Sequence, residues 1–257
     1  MSGAGCDQPD QSRGRPKRRA PETLERIDLP QLTTGHPEAA FHLARYRFAA
    51  HLAAGRRTLD AACGVGYGTA LLRAAGAPFC VGVDIAESAI RTAREHYASE
   101  GVQFVVDDVC RNRREGPFDL IVSFETIEHL VDPERALSSF ARLLSPSGLF
   151  IVSTPGDEAA AWALGIRDNP YHRHAWYPDE FERLVARHFK VVSKYGQAWR
   201  PSCLRPRIRR AISRAWVLLW RGSAGYRDLV GPGPTTSASS PPGWLPHYTI
   251  LVCEPLP

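Results

Sequence analysis

Apolar and polar positions change rhythm regularly between about residues 37 and 200. Residues 37–54 place Phe41, Ala44, Phe48, Ala49 and Leu52 at helical spacing, which predicts a helix ahead of everything that follows. Short apolar runs then recur near 57–61, 79–83, 103–106, 118–123 and 148–153, each the length of a buried strand. Helical patterns near 69–75, 86–98 and 133–143 separate them. Asp132-Pro133-Glu134 offers a capping carboxylate before a proline in the first turn. Ser145-Pro146-Ser147-Gly148 predicts a break before the next strand. A helix from Pro178 or Asp179 to Val185, a sixth strand over 189–192 and a final strand over 248–253 complete the pattern. Strands alternating with helices predict an α/β fold, an open and mainly parallel sheet covered by helices on both faces.

Composition sharpens this in three ways. The chain has 257 residues and is 44% apolar, enough for one sizeable core. It has no run of 18 apolar residues and no apolar signal segment at its start, so a cytoplasmic protein is expected. The 6 cysteines are scattered without a Cys-x-x-Cys pair and read as reduced thiols. The net charge of +5 is unevenly placed: residues 200–221 hold seven arginines and no acid, and 1–22 are basic, so the rest of the chain is net acidic. Basicity therefore belongs to one tail and one segment, which weakens any argument from charge to nucleic-acid binding. The expected division is a disordered basic tail over 1–22 and one domain over 23–257. Its insertion at about 200–246 carries a basic amphipathic helix (205–221) and a flexible, Gly- and Pro-rich run (231–243).

The most informative stretch is Leu59-Asp60-Ala61-Ala62-Cys63-Gly64-Val65-Gly66-Tyr67-Gly68, a buried strand running into a glycine-rich turn and then a helix. Glycines there let backbone approach a ligand where a Cβ would collide. A second apolar run ends in Asp84, placed to accept hydrogen bonds from ribose hydroxyls. The Gly-x-Gly-x-Gly spacing differs from the Gly-x-Gly-x-x-Gly of dinucleotide sites. Asp60 would repel a pyrophosphate but suits a cationic amine.

At these residues the chain resembles class I S-adenosylmethionine-dependent methyltransferases. The resemblance continues through Val83-Asp84-Ile85, Phe104 to Val109, Phe118 to Val122 and Leu143 to Leu149, covering roughly residues 40–200. It implies a Rossmann-like fold with a seven-stranded mixed sheet, the last strand antiparallel between strands five and six. It also implies S-adenosylmethionine as cofactor, and transferase activity. Gly64 and Gly66 would approach the methionine and ribose, Asp60 would anchor the amine, and Asp84 would take the ribose hydroxyls. Ile85 would pack on adenine, Asp108 would accept from the adenine amine beside Val109, and Phe124 would follow strand four at the ligand end of the sheet. Asp107 is the register alternative to Asp108. Arg45 and Tyr46, on the leading helix, would meet the cofactor carboxylate or else be a solvated arginine and a packed tyrosine.

The segment Phe124-Glu125-Thr126-Ile127-Glu128-His129-Leu130 carries the candidate acceptor chemistry. If it turns helically, Glu125, Glu128 and His129 converge on one face. Two carboxylates and an imidazole suit a divalent ion such as Mg²⁺ or Mn²⁺, with a further imidazole from His172 or His174. The constellation resembles Glu-x-x-Glu-His O-methyltransferases of small RNA and of ubiquinone pathways, which favours His172 and the set Glu125, Glu128, His129 and His172. Metal-assisted deprotonation, a direct histidine base and simple positioning all stay open. His129, with Glu128, is the catalytic candidate under the first two.

Tyr171, Trp162, Trp176 and Tyr177 offer an apolar wall for an acceptor ring, or anchors for the loop. The stretch from Ser153-Thr154-Pro155-Gly156 through His174, with Phe181 downstream, resembles methyltransferases of sugar, polysaccharide and natural-product (including antibiotic) biosynthesis. O-methylation of a small molecule leads the reading. N-methylation of an amine, metal-dependent RNA 2′-O-methylation and a non-catalytic cofactor-binding subunit are the alternatives. The 205–221 helix would serve as a lid, a core-packed helix or a homodimer contact.

Overall fold

The computed structural model describes residues 37–111, 116–156, 158–159, 163, 169–201, 235–236 and 244–257. Helix α1 (Pro37–Ala50) precedes β1 (Thr58–Ala61), α2 (Tyr67–Ala74), β2 (Cys80–Asp84), α3 (Glu87–Tyr97), β3 (Val102–Val106) and β4 (Phe118–Phe124). A single 3₁₀ turn (Ile127–His129), α4 (Pro133–Leu143), β5 (Leu144–Pro155), α5 (Pro178–Val185), β6 (Phe189–Pro201), β7 (Thr235–Thr236) and β8 (Trp244–Pro255) follow. The strands form one sheet in the order β3-β2-β1-β4-β5-β8-β6-β7. Strands β1 to β5 pair in parallel, and β8 is antiparallel to both β5 and β6. The seven main strands thus have the predicted arrangement, including the antiparallel last strand between the fifth and sixth. The two-residue β7, inside the run expected to be flexible, adds an edge to β6 at Tyr195 and Gly196. The 1–22 tail and the 205–221 helix lie outside the described residues.

Alternation along the central strands sends neighbours to opposite faces. Ile121, Phe150, Val152, Leu251 and Cys253 join Leu137, Phe140, Phe181 and Val185 of α4 and α5 in one cluster. Leu120, Val122, Ile151, Ile250 and Val252 join Tyr46 and Ala49 of α1 and Leu72 of α2 in the other. Burying such side chains is worth roughly 1.5–3 kcal/mol each before chain entropy is counted. That double-sided burial explains why these strands read as continuous apolar runs rather than alternating ones.

Helix α4 starts where the cap motif placed it: Asp132 accepts a hydrogen bond from the Arg135 backbone N–H at 3.0 Å, with Pro133 in the first turn. One boundary differs. The break expected at Ser145-Pro146-Ser147-Gly148 is a bulge within β5, because Phe118 pairs with Leu144 while Leu120 pairs with Leu149. The proline sits where the ladder is interrupted, so its missing N–H loses no strand pairing.

Among the described residues no helix is long and apolar enough to cross a membrane. The carboxyl ends of the parallel strands all open on one rim, and β1 and β4 are neighbours there although β2 and β3 intervene in sequence. This is the switch point at which open α/β sheets hold ligands.

Candidate functional site

The turn after β1 winds through three left-handed residues, Ala62 (φ 69°), Gly64 (φ 55°) and Gly66 (φ 90°). The two glycines serve different ends. A Cβ on Gly64 would meet nothing within 4 Å, and the residue lines a cavity of about 820 Å³ on the rim. A Cβ on Gly66 would lie 2.6 Å from the Ala93 Cβ and 2.8 Å from the Phe104 ring. Gly66 does not line the cavity, and its missing side chain makes room for α3 and β3.

Asp60 also faces away from the cavity. It is 1% exposed, and its two oxygens accept hydrogen bonds from the Tyr46 hydroxyl (2.9 Å) and the Thr69 hydroxyl (2.6 Å). Burial chiefly pushes its carboxyl up to about 6; the two hydroxyls oppose that shift and the charge of Asp84 adds to it. Neither Asp60 nor Tyr46 lines the cavity. Both lie behind the turn, where the Tyr46 hydroxyl donates to Asp60.

Asp84 lies on the cavity wall at the end of β2. Its carboxylate accepts from the backbone N–H of Gly64 and of Ala86, both at 2.9 Å, and the residue lines the cavity. Ile85 beside it is 68% exposed, an apolar platform at the rim. Asp107, Asp108 and Val109 all line the same space, so both registers of the adenine acid reach it. Asp108 also accepts from the Cys110 N–H at 2.9 Å.

The other half of the cavity lies beyond β4. Phe124 lines it, and Glu125 turns the chain with a φ of 50°, unusual for a residue with a Cβ. Glu125 points to Ser153, whose hydroxyl donates to its carboxylate at 2.7 Å, and to Arg45, 3.8 Å away. Arg45 is 1% exposed; it donates to the Gln197 side chain at 2.8 Å and stacks over Tyr248 at 4.3 Å. Its Nε is buried without a partner, and the residue lines the cavity.

Glu128, His129 and His172 come together, each offering a ligand atom within 4.8 Å of the others. Glu125 is not in this group, a correction to the four-residue set. The backbone turn at Glu125 sends its carboxylate to Ser153 and Arg45 instead of along the 3₁₀ turn. The helical face expected for this segment is one 3₁₀ turn only. His174 is excluded too, since its Nε2 pairs with the Leu130 carbonyl at 3.0 Å and its ring stacks on Trp176.

Glu128 is 1% exposed. Its Oε2 accepts from Thr154 at 3.1 Å, while its Oε1 is buried with no hydrogen-bond partner. Burial, and then the neighbouring charge of Glu125, push this carboxyl well above the usual range. His129 Nδ1 lies 3.4 Å from the Tyr171 carbonyl, and Nε2 lies 4.0 Å from Glu128 Oε1.

The loop that delivers His172 is tied down by Arg173 and His174, whose backbone N–H groups donate to the Glu128 carbonyl at 2.8 and 3.1 Å. Tyr171 lines the cavity, whereas Trp176 packs on Phe181 in the core. Trp162 lies outside the described residues. The sequence reading missed Thr154, Ser153, Gln197 and Tyr248, which no local motif marks, and also Glu158, whose carboxylate meets His172 Nδ1 at 2.5 Å.

A family profile described as "Methyltransferase domain" matches residues 37–193, which run from α1 into the start of β6 and hold all of the cavity lining except His247 and Tyr248. The chain belongs to the class I S-adenosylmethionine-dependent methyltransferases. A ubiquinone biosynthesis O-methyltransferase of Xylella fastidiosa is 33% identical over 206 residues, covering 76% of this chain and 77% of that protein. One of Caulobacter sp. is 32% identical over 164 residues, covering 57% and 64%. The chain spans about half to two thirds of the length of several curated relatives it matches. Among solved structures, 1,6-didemethyltoxoflavin-N1-methyltransferase of Burkholderia thailandensis superposes with a TM-score of 0.55 at 19% identity, covering 87% and 81%, which shows a shared fold. The methyltransferase's rim fits the family's cofactor: an open approach at Gly64, a buried acid at Asp84 and an apolar platform at Ile85 share one cavity.

Proposed function

We propose that the protein transfers the methyl group of S-adenosylmethionine to a hydroxyl of a small molecule, such as a sugar or natural-product intermediate, at a cation site formed by Glu128, His129 and His172. The observation that supports this reading most is Glu128 Oε1, buried and unpartnered beside two imidazoles. An orphaned buried carboxylate oxygen costs about 1–3 kcal/mol unless a ligand meets it. Two imidazoles and a carboxylate fit Mn²⁺ or Mg²⁺ by donor chemistry. The names of the O-methyltransferase relatives support oxygen as the acceptor atom.

In this reading Asp84 accepts from the ribose hydroxyls, Ile85 covers adenine, Asp108 or Asp107 accepts from its amine, and Arg45 meets the carboxylate. A sulfonium methyl is already activated, so the acceptor hydroxyl mainly needs its proton removed. A bound divalent ion would lower the pKa of that hydroxyl. In this reading His129 is a ligand of the ion and the hydroxyl's proton passes to solvent; His129 as the direct base is the metal-free alternative. The cavity, within the usual range of about 300–1,000 Å³ for ligand sites, holds cofactor and acceptor together.

Turnover of matched vicinal diols and amines, in chelated and Mn²⁺-supplemented protein, tests the reading. Diol methylation should fall with chelation and return with Mn²⁺. Amine methylation indifferent to chelator, with no diol turnover, would replace it with N-methylation. Cofactor binding without transfer to any acceptor would replace it with a non-catalytic role.

A further inference from the structure

We infer that Glu158 is the positioning residue for His172: it holds the proton on Nδ1, so that His172 offers the lone pair of Nε2 to a divalent cation. The inference rests on the cation site proposed above and adds a residue that no motif marks. Glu158 stands just past the end of β5, and its Oε2 lies 2.5 Å from His172 Nδ1. The pair is sheltered, with His172 8% and Glu158 21% exposed at the side chain. A carboxylate has only lone pairs to give, so the hydrogen at this contact belongs to Nδ1. A neutral imidazole with Nδ1–H carries its lone pair on Nε2.

The two histidines are therefore oriented by different acceptors. His129 leans on a neutral backbone carbonyl at 3.4 Å, a long contact, and His172 on a charged carboxylate at close range. The rings meet edge to face with centroids 4.7 Å apart, so a flip of His172 would also disturb its packing on His129. A charged acceptor on the far nitrogen fixes the tautomer and raises the basicity of the near one, which strengthens a metal ligand. The charge of Glu158 also reaches Glu128, adding to the negative environment a dication would relieve.

The experiment compares wild type, Glu158→Gln, Glu158→Ala and His172→Ala by two readouts. Mn²⁺ affinity is measured by electron paramagnetic resonance titration, and the His172 tautomer by ¹⁵N NMR on metal-free, histidine-labelled protein. Wild type should show the Nδ1–H form and one Mn²⁺ site. Glu158→Gln, which keeps the volume and loses the charge, should weaken Mn²⁺ about tenfold, and Glu158→Ala by about 10–100-fold with a mixed tautomer.

Mn²⁺ affinity in Glu158→Ala equal to wild type would overturn the inference, as would weakened affinity with an unchanged tautomer, which would make Glu158 a ligand. Binding lost in His172→Ala but kept in Glu158→Ala overturns the role of Glu158 alone. A wild type that binds no Mn²⁺, or His172→Ala binding it normally, overturns the cation site and this inference with it. If Glu158→Ala does not fold, Glu158→Gln carries both readouts.

Discussion

Asp60 and Glu128 stand at the ends of neighbouring strands, each 1% exposed, and burial raises the pKa of both carboxyls. Their surroundings differ in one respect that separates their roles. Asp60 has a hydroxyl on each oxygen, from Tyr46 and Thr69, and lies behind the wall of the cavity. Glu128 has Thr154 on one oxygen and no hydrogen-bond partner on the other, and it lines the cavity. A satisfied buried acid holds the fold in place. A half-satisfied one can still take a partner. The acid behind the β1 side is thus satisfied by hydroxyls of its own fold, whereas the acid on the β4 side has one oxygen without a hydrogen-bond partner.

The largest test of this contrast is on the β4 side. His129→Ala should lower turnover about 100-fold or more while binding of S-adenosylhomocysteine is kept, as kinetics and titration calorimetry would show. Loss of cofactor binding instead would merge the two halves into one.

Next comes Asp60→Asn, which should change pH-dependent stability. The folded carboxyl titrates at about 6, above its unfolded value near 3.8, so the folded state holds the proton more tightly. Stability from this group is therefore complete below about pH 4 and lost as pH rises through about 6, by at most about 3 kcal/mol. Asp60→Asn should lack that decline when urea midpoints are compared between pH 4 and 7. An unchanged slope would mean that Asp60 is not the buried titrating acid described here.

The smallest effect is expected at Gly64→Ala. Its left-handed backbone makes the substitution cost about 1 kcal/mol of stability in thermal or urea melts. The new methyl would project into open cavity, so cofactor affinity should fall further than the melt suggests. Undiminished affinity would remove Gly64 from the cofactor wall.

Much of the β1 half was legible along the chain, because strand, turn and helix follow one another within a few residues. The left-handed turn needs its glycines wherever the rest of the protein lies. The same locality made Asp132-Pro133 readable as a helix start. Reading failed where two residues of one motif face different ways. Gly64 and Gly66 look alike in sequence, yet one opens on the cavity and the other on Ala93 and Phe104. Glu125 and Glu128 look like partners, yet the turn at Glu125 aims it at Ser153 and Arg45.

The sequence by itself determined the order of strands and helices, the family, and the candidate residues at each end of the cavity. Periodicity, capping and turn conformation are short-range and are written in adjacent residues. Only the tertiary structure decided which of those residues meet. Arg173 and His174 tie the distant loop to Glu128 through backbone hydrogen bonds, and so bring His172 beside His129, with Glu158 held against it. Such convergence depends on packing between segments far apart in the chain, and no local spacing encodes the direction in which a carboxylate will point.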